Sequence, residues 1–228
     1  MTDRPIIFSG PMVRALLADS KTQTRRVLKK QDWPEGVVRL YPHQTEGVPC
    51  LPGDRLWVRE VVAAGACCDL PPAQWAPSFW RREQGSPANR NGLWYAADGL
   101  SPDHPITDRG RWRPSIHMPR WASRLTLAVC EVRVERLHDI TEQAASAEGV
   151  CHFVEQHSGS ASWDGLSSAD RTALVRQIYG SSLKAFQHLW ETLHGPDSWA
   201  ANPWVAAISF RVTPANIDTL PEQAGGQA

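Results

Sequence analysis

The residues most suited to chemistry form one polar run, Lys21-Thr22-Gln23-Thr24-Arg25-Arg26. A lysine beside a threonine hydroxyl can act as its general base when burial or a neighbouring cation disfavours the ammonium. Arg25 and Arg26 press in that direction, and a carboxylate from elsewhere in the chain would orient the lysine or handle the leaving-group proton. The run is Thr-rich and ends apolar at Val27-Leu28, which predicts a strand. Alternation then sets Thr22, Thr24 and Arg26 on one face, and Gln23 and Arg25 on the other. The ordinary alternative for such a run is a solvated strand edge.

A second candidate is the segment Trp112 to Trp121, with Arg111, Arg113, Arg120 and Arg124 in or beside it. Aromatic and cationic side chains together stack bases and neutralise phosphates on single strands. The alternative is a proline-stiffened loop that packs two Trp onto the core. Arg59 and Glu60 face opposite ways in a strand, so at most one lines a given cleft, and an exposed ion pair is the ordinary role of such residues. Trp57 and Arg59 are carried forward as ligand contacts together with Trp112, Arg120 and Trp121. The chain holds 11 Trp against 5 Phe and 3 Tyr. Trp57, Trp190 and Trp204 sit at patterned strand or helix positions and read as core. Trp75, Trp80, Trp94, Trp112 and Trp121 cluster in or beside a poorly patterned stretch, where they are placed to stack on a base.

Other chemistries are missing from the sequence. Walker-type and Rossmann glycine patterns and GxSxG do not occur. The five cysteines form an odd set without CxxC spacing, and the eight histidines include no HExxH. Cys151-His152 with His157 lacks a partner pair, so no metal and no cofactor is expected.

These residues need elements to place them. Pro5 to Phe8 reads as a first strand, and residues 11–19 as a short amphipathic helix with Pro11 at its first position. Arg55 to Val61 is a strand opened by Gly53-Asp54. From Ser123 to Leu137 the pattern is β, and its apolar parity switches near Cys130-Glu131, which suggests a bulge or a passage between two sheet faces. Asp139 to Glu142 has capping-box form and starts a short helix to about Glu148, stopped by Gly149. Ser167 to Asp170 caps a long helix that runs to Gly195 with a break at Gly180-Ser181-Ser182. Trp204 to Val212 is a final strand.

The sum is an α+β chain compatible with a small bent β-barrel with flanking helices. At 228 residues it reads as a single domain over 1–213, with insertions at about 63–114 and 150–170 and a disordered tail over 214–228. Balanced charge, 24 basic against 24 acidic side chains, removes the broad attraction that drives duplex binding. No run approaches the ~18 apolar residues that span a bilayer, and no secretory leader is recognisable. A cytoplasmic protein without membrane contact is expected.

In order and type, these motifs resemble the ASCH domain family, a branch of the PUA-like fold. The family's glycine, one residue, lysine, four residues, arginine falls on Asp19 to Arg26, with Asp19 where the glycine stands. Asp tolerates an unusual backbone angle there better than most residues. Gly53 to Val58 is similar to the family's Gly-Asp strand opening, Ile140 to Gly149 to its short acidic helix, and Trp204 to Phe210 to its closing strand. The layout, including Pro114 to Trp121, looks like the larger ASCH proteins of phages and prophages. The likeness covers about half the chain. It implies a five- or six-stranded barrel with a cleft beside the lysine motif. Small bacterial relatives are amidohydrolases that remove the acetyl group from N4-acetylcytidine with a lysine, a threonine and a glutamate. Carried over by motif, these fall on Lys21 as base, Thr24 as nucleophile and Glu148 as the carboxylate that supports proton transfer. Other members bind RNA or act on it. The competing expectations are therefore an RNA or modified-nucleotide module, with Lys21, Arg25 and Arg26 on phosphate, or a phage accessory interaction protein. The expected ligand is a nucleoside or single-stranded RNA.

Overall fold

A computed structural model of the chain describes residues 1–33, 36, 38–39, 47–64, 93–99, 110–158, 163 and 165–221. Most of the expected 63–114 insertion, including Trp75 and Trp80, lies outside the described residues. Contacts divide the chain into two compact units. The first comprises Met1–Thr2, Arg14–Asp54 and Ala128–Val212, and the second Asp3–Val13, Arg55–Leu127 and Thr213–Ala228.

In the first unit, β2 (Gln23–Val27) lies antiparallel to β8 (Trp204–Thr213), with Thr24 opposite Ile208 and Arg26 opposite Ala206. β8 is buried on both faces from Trp204 to Ile208, as a continuous apolar run at the centre of a sheet should be. Its other neighbour is β7 (Thr126–Arg136), which in turn pairs with the two-residue β3 (Val38–Arg39). The apolar parity of β7 does switch: Leu127 and Val129 are buried, Cys130 and Glu131 are not, and Val132 and Val134 are buried again. No closed barrel forms among the described residues. On one side the strand path ends at β2, beside β8, and β3 pairs with β7 off that path.

Helices complete this unit. α2 (Glu142–Ala147) is capped by Thr141, whose hydroxyl accepts from Ala144 N–H, and not by Asp139. Glu142 instead accepts from the Ser182 and Leu183 N–H groups at 2.7 and 3.0 Å. It thereby caps α5 (Ser182–His194), a helix 40 residues further on. α4 (Ser168–Tyr179) starts at the Ser167 cap and ends at left-handed Gly180, so the long helix is broken where the sequence placed the break. α3 (Val150–Ser158) occupies part of the expected 150–170 insertion, and α2, α3 and α4 each pack on α5. Trp190 and Trp204 are core residues.

In the second unit, β1 (Asp3–Ile7) runs parallel to β4 (Arg55–Arg59), with Pro5 opposite Trp57. Val58 N–H donates to Leu125 O at 3.0 Å, just ahead of β7. β5 (Val62–Ala64) and β6 (Leu93–Tyr95) form a separate antiparallel pair. Val62, Ala64, Leu93, Tyr95, Met118 and Ala122 make a buried cluster against which Trp121 packs. After Pro214 the chain is not a loose tail as far as it is described: Ile217 to Thr219 form a 3-10 turn with Ile217 buried. α1 (Gly10–Leu17) belongs to both units, its first residues to the second and its last to the first. No helix among the described residues is long and apolar enough to cross a membrane.

Candidate active site

The turn after α1 delivers the lysine. Asp19 takes a left-handed angle, φ 53°, which Asp tolerates better than most non-glycine residues. Ser20 and Lys21 N–H both donate to Ala15 O, at 2.9 and 3.1 Å, and turn the chain into β2. Lys21 then forms an isolated antiparallel bridge with Glu148, the residue that ends α2. Gly149 follows with φ 77°, against Ala15 and Lys21.

This backbone brings two of the three expected residues together. Lys21 Nζ donates to Glu148 Oε2 at 2.9 Å and to Glu148 backbone O at 2.7 Å. The lysine is 2% exposed and Glu148 3%. Burial pushes the Lys21 ammonium down from its ordinary basicity; Glu148 opposes that, and Arg26 and Arg25 add to it. Thr24 is buried in β2, next to Arg25 in sequence and therefore on the opposite strand face.

Arg25 is spent inside the protein. Its Nη1 meets Glu148 Oε1 at 3.0 Å, while Nη2 and Nε meet Glu135 Oε1 at 2.7 and 3.1 Å. Its guanidinium also lies 6.0 Å from the Phe186 ring centre. An arginine committed to two buried carboxylates is a partner of the site and not a phosphate contact facing outward. Arg26 is half-buried, and burial lowers its basicity against the pull of Glu148. Gln23, on the same strand face as Lys21 and Arg25, carries a buried Oε1 with no hydrogen-bond partner. Glu135 was missed by sequence reasoning. In Arg133-Val134-Glu135 the alternation reads as a polar solvent face, and only the position of Arg25 reveals that this glutamate is buried.

The other expected ligand contacts, Trp57, Arg59, Trp112, Arg120 and Trp121, all belong to the second unit. Trp57 is buried, with the Arg59 guanidinium 5.2 Å from its ring centre. Arg59 donates to Ile116 O. Glu60 is not in an exposed pair: it is 1% exposed, and both its oxygens are held by Arg124, at 2.8 and 3.0 Å. Arg120 is tied to Asp3 and Asp218. Trp112 and Trp121 are half-buried.

Among the described residues no three His, Cys, Asp or Glu side chains are grouped as a metal ion requires. His152 Nδ1 lies 3.2 Å from Glu155 Oε2, His157 contacts Phe153 O, and Cys151 lies 3.9 Å from the Ser20 hydroxyl. Compared with known proteins, the chain matches no family model, and neither a curated protein nor a solved structure is significantly similar to it.

Proposed function

We propose that the chain is an ASCH-type, PUA-like protein that recognises a nucleobase-containing ligand and hydrolyses an N4-acylated cytidine or a similar amide. The observation that carries this reading is the Lys21–Glu148 pair, a lysine sealed from water whose charged form is disfavoured by burial and by two arginines. A lysine held below its ordinary basicity serves as a base more readily than an exposed one.

In the proposed reaction the Lys21 amine removes the proton of the Thr24 hydroxyl, whose oxygen attacks the amide carbonyl. The C–N bond then breaks, the cytosine amine leaves with the proton returned by Lys21, and water hydrolyses the acyl ester. Glu148 holds Lys21 in place and balances its charge while the proton is on it. Gln23 Oε1 is a free acceptor suited to the amide N–H of such a substrate. For Thr24 to reach Lys21, the start of β2 must shift as substrate binds, since alternation directs the two side chains apart.

The test is acetate release from N4-acetylcytidine, followed by NMR, with the purified chain and with Lys21→Ala and Thr24→Ala. The reading expects release by the wild type and none by Lys21→Ala. Release undiminished in Lys21→Ala, or absent in the wild type, removes it. A rate retained in Thr24→Ala alone assigns the attack to a water activated by Lys21.

A further inference from the structure

The Lys21–Glu148 pair is the inner end of a longer chain of alternating charge. Glu131 Oε2 meets Arg133 Nη1 at 2.6 Å, and Arg133 Nε meets Glu135 Oε2 at 3.3 Å. Glu135 Oε1 meets Arg25 at 2.7 Å, and Arg25 meets Glu148 Oε1 at 3.0 Å. Side-chain exposure falls along it, from 33% at Glu131 and 18% at Arg133 to 4% at Glu135 and 1% at Arg25.

Burying two further charges to hold one carboxylate is a poor route to stability, because desolvation offsets much of the attraction. What it secures is geometry. A carboxylate left alone with a lysine is free to turn both oxygens toward the ammonium and so strengthen the charged form. Here Arg25 takes Oε1, while Lys21 meets Oε2 and the Glu148 backbone carbonyl. Arg25 also brings a positive charge close to the lysine. Glu135, gripping Nε and Nη2, stops Arg25 from swinging fully onto Glu148.

We infer that Arg25, clamped by Glu135, is the positioning residue of this site: it keeps one Glu148 oxygen away from Lys21 and so leaves the lysine amine available as a base. The inference rests on the reading of Lys21 as a base. The charged groups bearing on Lys21 are Glu148 at the end of α2 and Arg25 and Arg26 on β2. Beyond them lie Glu135 and Arg133 on β7 and His194 on α5, which feels Arg26.

The test follows the Lys21 side chain by heteronuclear NMR through a pH titration, alongside the pH profile of N4-acetylcytidine hydrolysis. Arg25→Gln removes a cation and frees a Glu148 oxygen, so the lysine midpoint moves up and the rate at neutral pH falls by about 100-fold, recovering as pH rises. Glu135→Gln removes an anion and lets Arg25 close on Glu148, so the midpoint moves down. Opposite signs follow from charge alone, so the discriminating variant is Arg25→Lys, which keeps the cation but not the fork that joins Glu148 Oε1 to Glu135. Its midpoint should still move up, and a midpoint at the wild-type value overturns the inference. Midpoints that move together, or not at all, in the two folded Gln variants overturn it too. Should either variant fail to fold, Arg133→Gln, nearer the surface, is expected to move the midpoint up by less; no movement there overturns it as well. A wild type that releases no acetate removes the hydrolase reading alone, and the titration still decides the positioning role.

Discussion

Gly149 stands so close to Lys21 that a Cβ on it would lie 2.9 Å from the lysine Cβ and 2.7 Å from that of Ala15. The glycine therefore serves both its own turn, at φ 77°, and the seating of the lysine beside Glu148. Gly149→Ala should cost about 2–5 kcal/mol, combining a left-handed backbone penalty of about 1–2 with overpacking of about 1–3. Gly180→Ala is the control: its φ is similar, 82°, but the nearest atom is the flexible Lys184 Nζ at 3.8 Å. It should cost only the backbone part, about 1–2 kcal/mol. Urea denaturation of both measures the difference; equal losses would mean that the close approach contributes nothing.

Glu142 makes stability depend on acid. Burial raises its carboxyl, but the Ser182 and Leu183 N–H groups outweigh this and hold it below the ordinary value of 4.5. A depressed folded value means that the unfolded chain binds the proton first as pH falls. The contribution is therefore complete above pH 4.5 and disappears as pH drops through the folded value. Glu142→Gln should flatten that part of the urea midpoint against pH curve, and an unchanged curve would count against the cap.

Arg124 and Glu60 predict the opposite sign. Burial raises the Glu60 carboxyl, and Arg124 opposes it through both oxygens. Arg124→Met leaves a buried carboxylate alone and should cost about 3–5 kcal/mol at neutral pH. In that variant Glu60 keeps its proton in the folded state while the unfolded chain ionises. Its stability should then fall as pH rises above the ordinary glutamate range. Guanidinium titrations at pH 5 and pH 7 check this; a variant equally stable at both would refute it.

Asp19 is a graded probe of the turn before Lys21. Asp19→Gly should preserve or raise thermal stability, because glycine takes φ 53° without strain. A β-branched residue should not, and Asp19→Val is expected to lose about 1–2 kcal/mol. Calorimetry on the two variants settles the order.

Much of the local structure was legible in the sequence because local chemistry decides it. Ser167, Gly180 and Gly149 announced a helix start and two stops, and the β7 parity switch was visible at Cys130-Glu131. Glu142 was misassigned for an instructive reason: a glutamate near a helix start looks like that helix's own cap, and only the three-dimensional arrangement shows that it serves α5. α3 was hidden because His152 and His157 blur its apolar spacing. Barrel closure depends on edge pairings between distant strands, and such pairings leave no mark in residue spacing. Glu135 escaped notice because a charged residue alternating with valines normally faces water.

Lys21 and Glu148 are 127 residues apart in the chain. Closing a loop of that length costs about 4 kcal/mol of chain entropy, and the loop must close before either side chain meets the other. During synthesis Lys21 emerges long before Glu148 exists, and until then its ammonium is hydrated and of ordinary basicity. The buried lysine–carboxylate pair is thus a product of late, long-range assembly: an incompletely folded chain carries both residues without the pair.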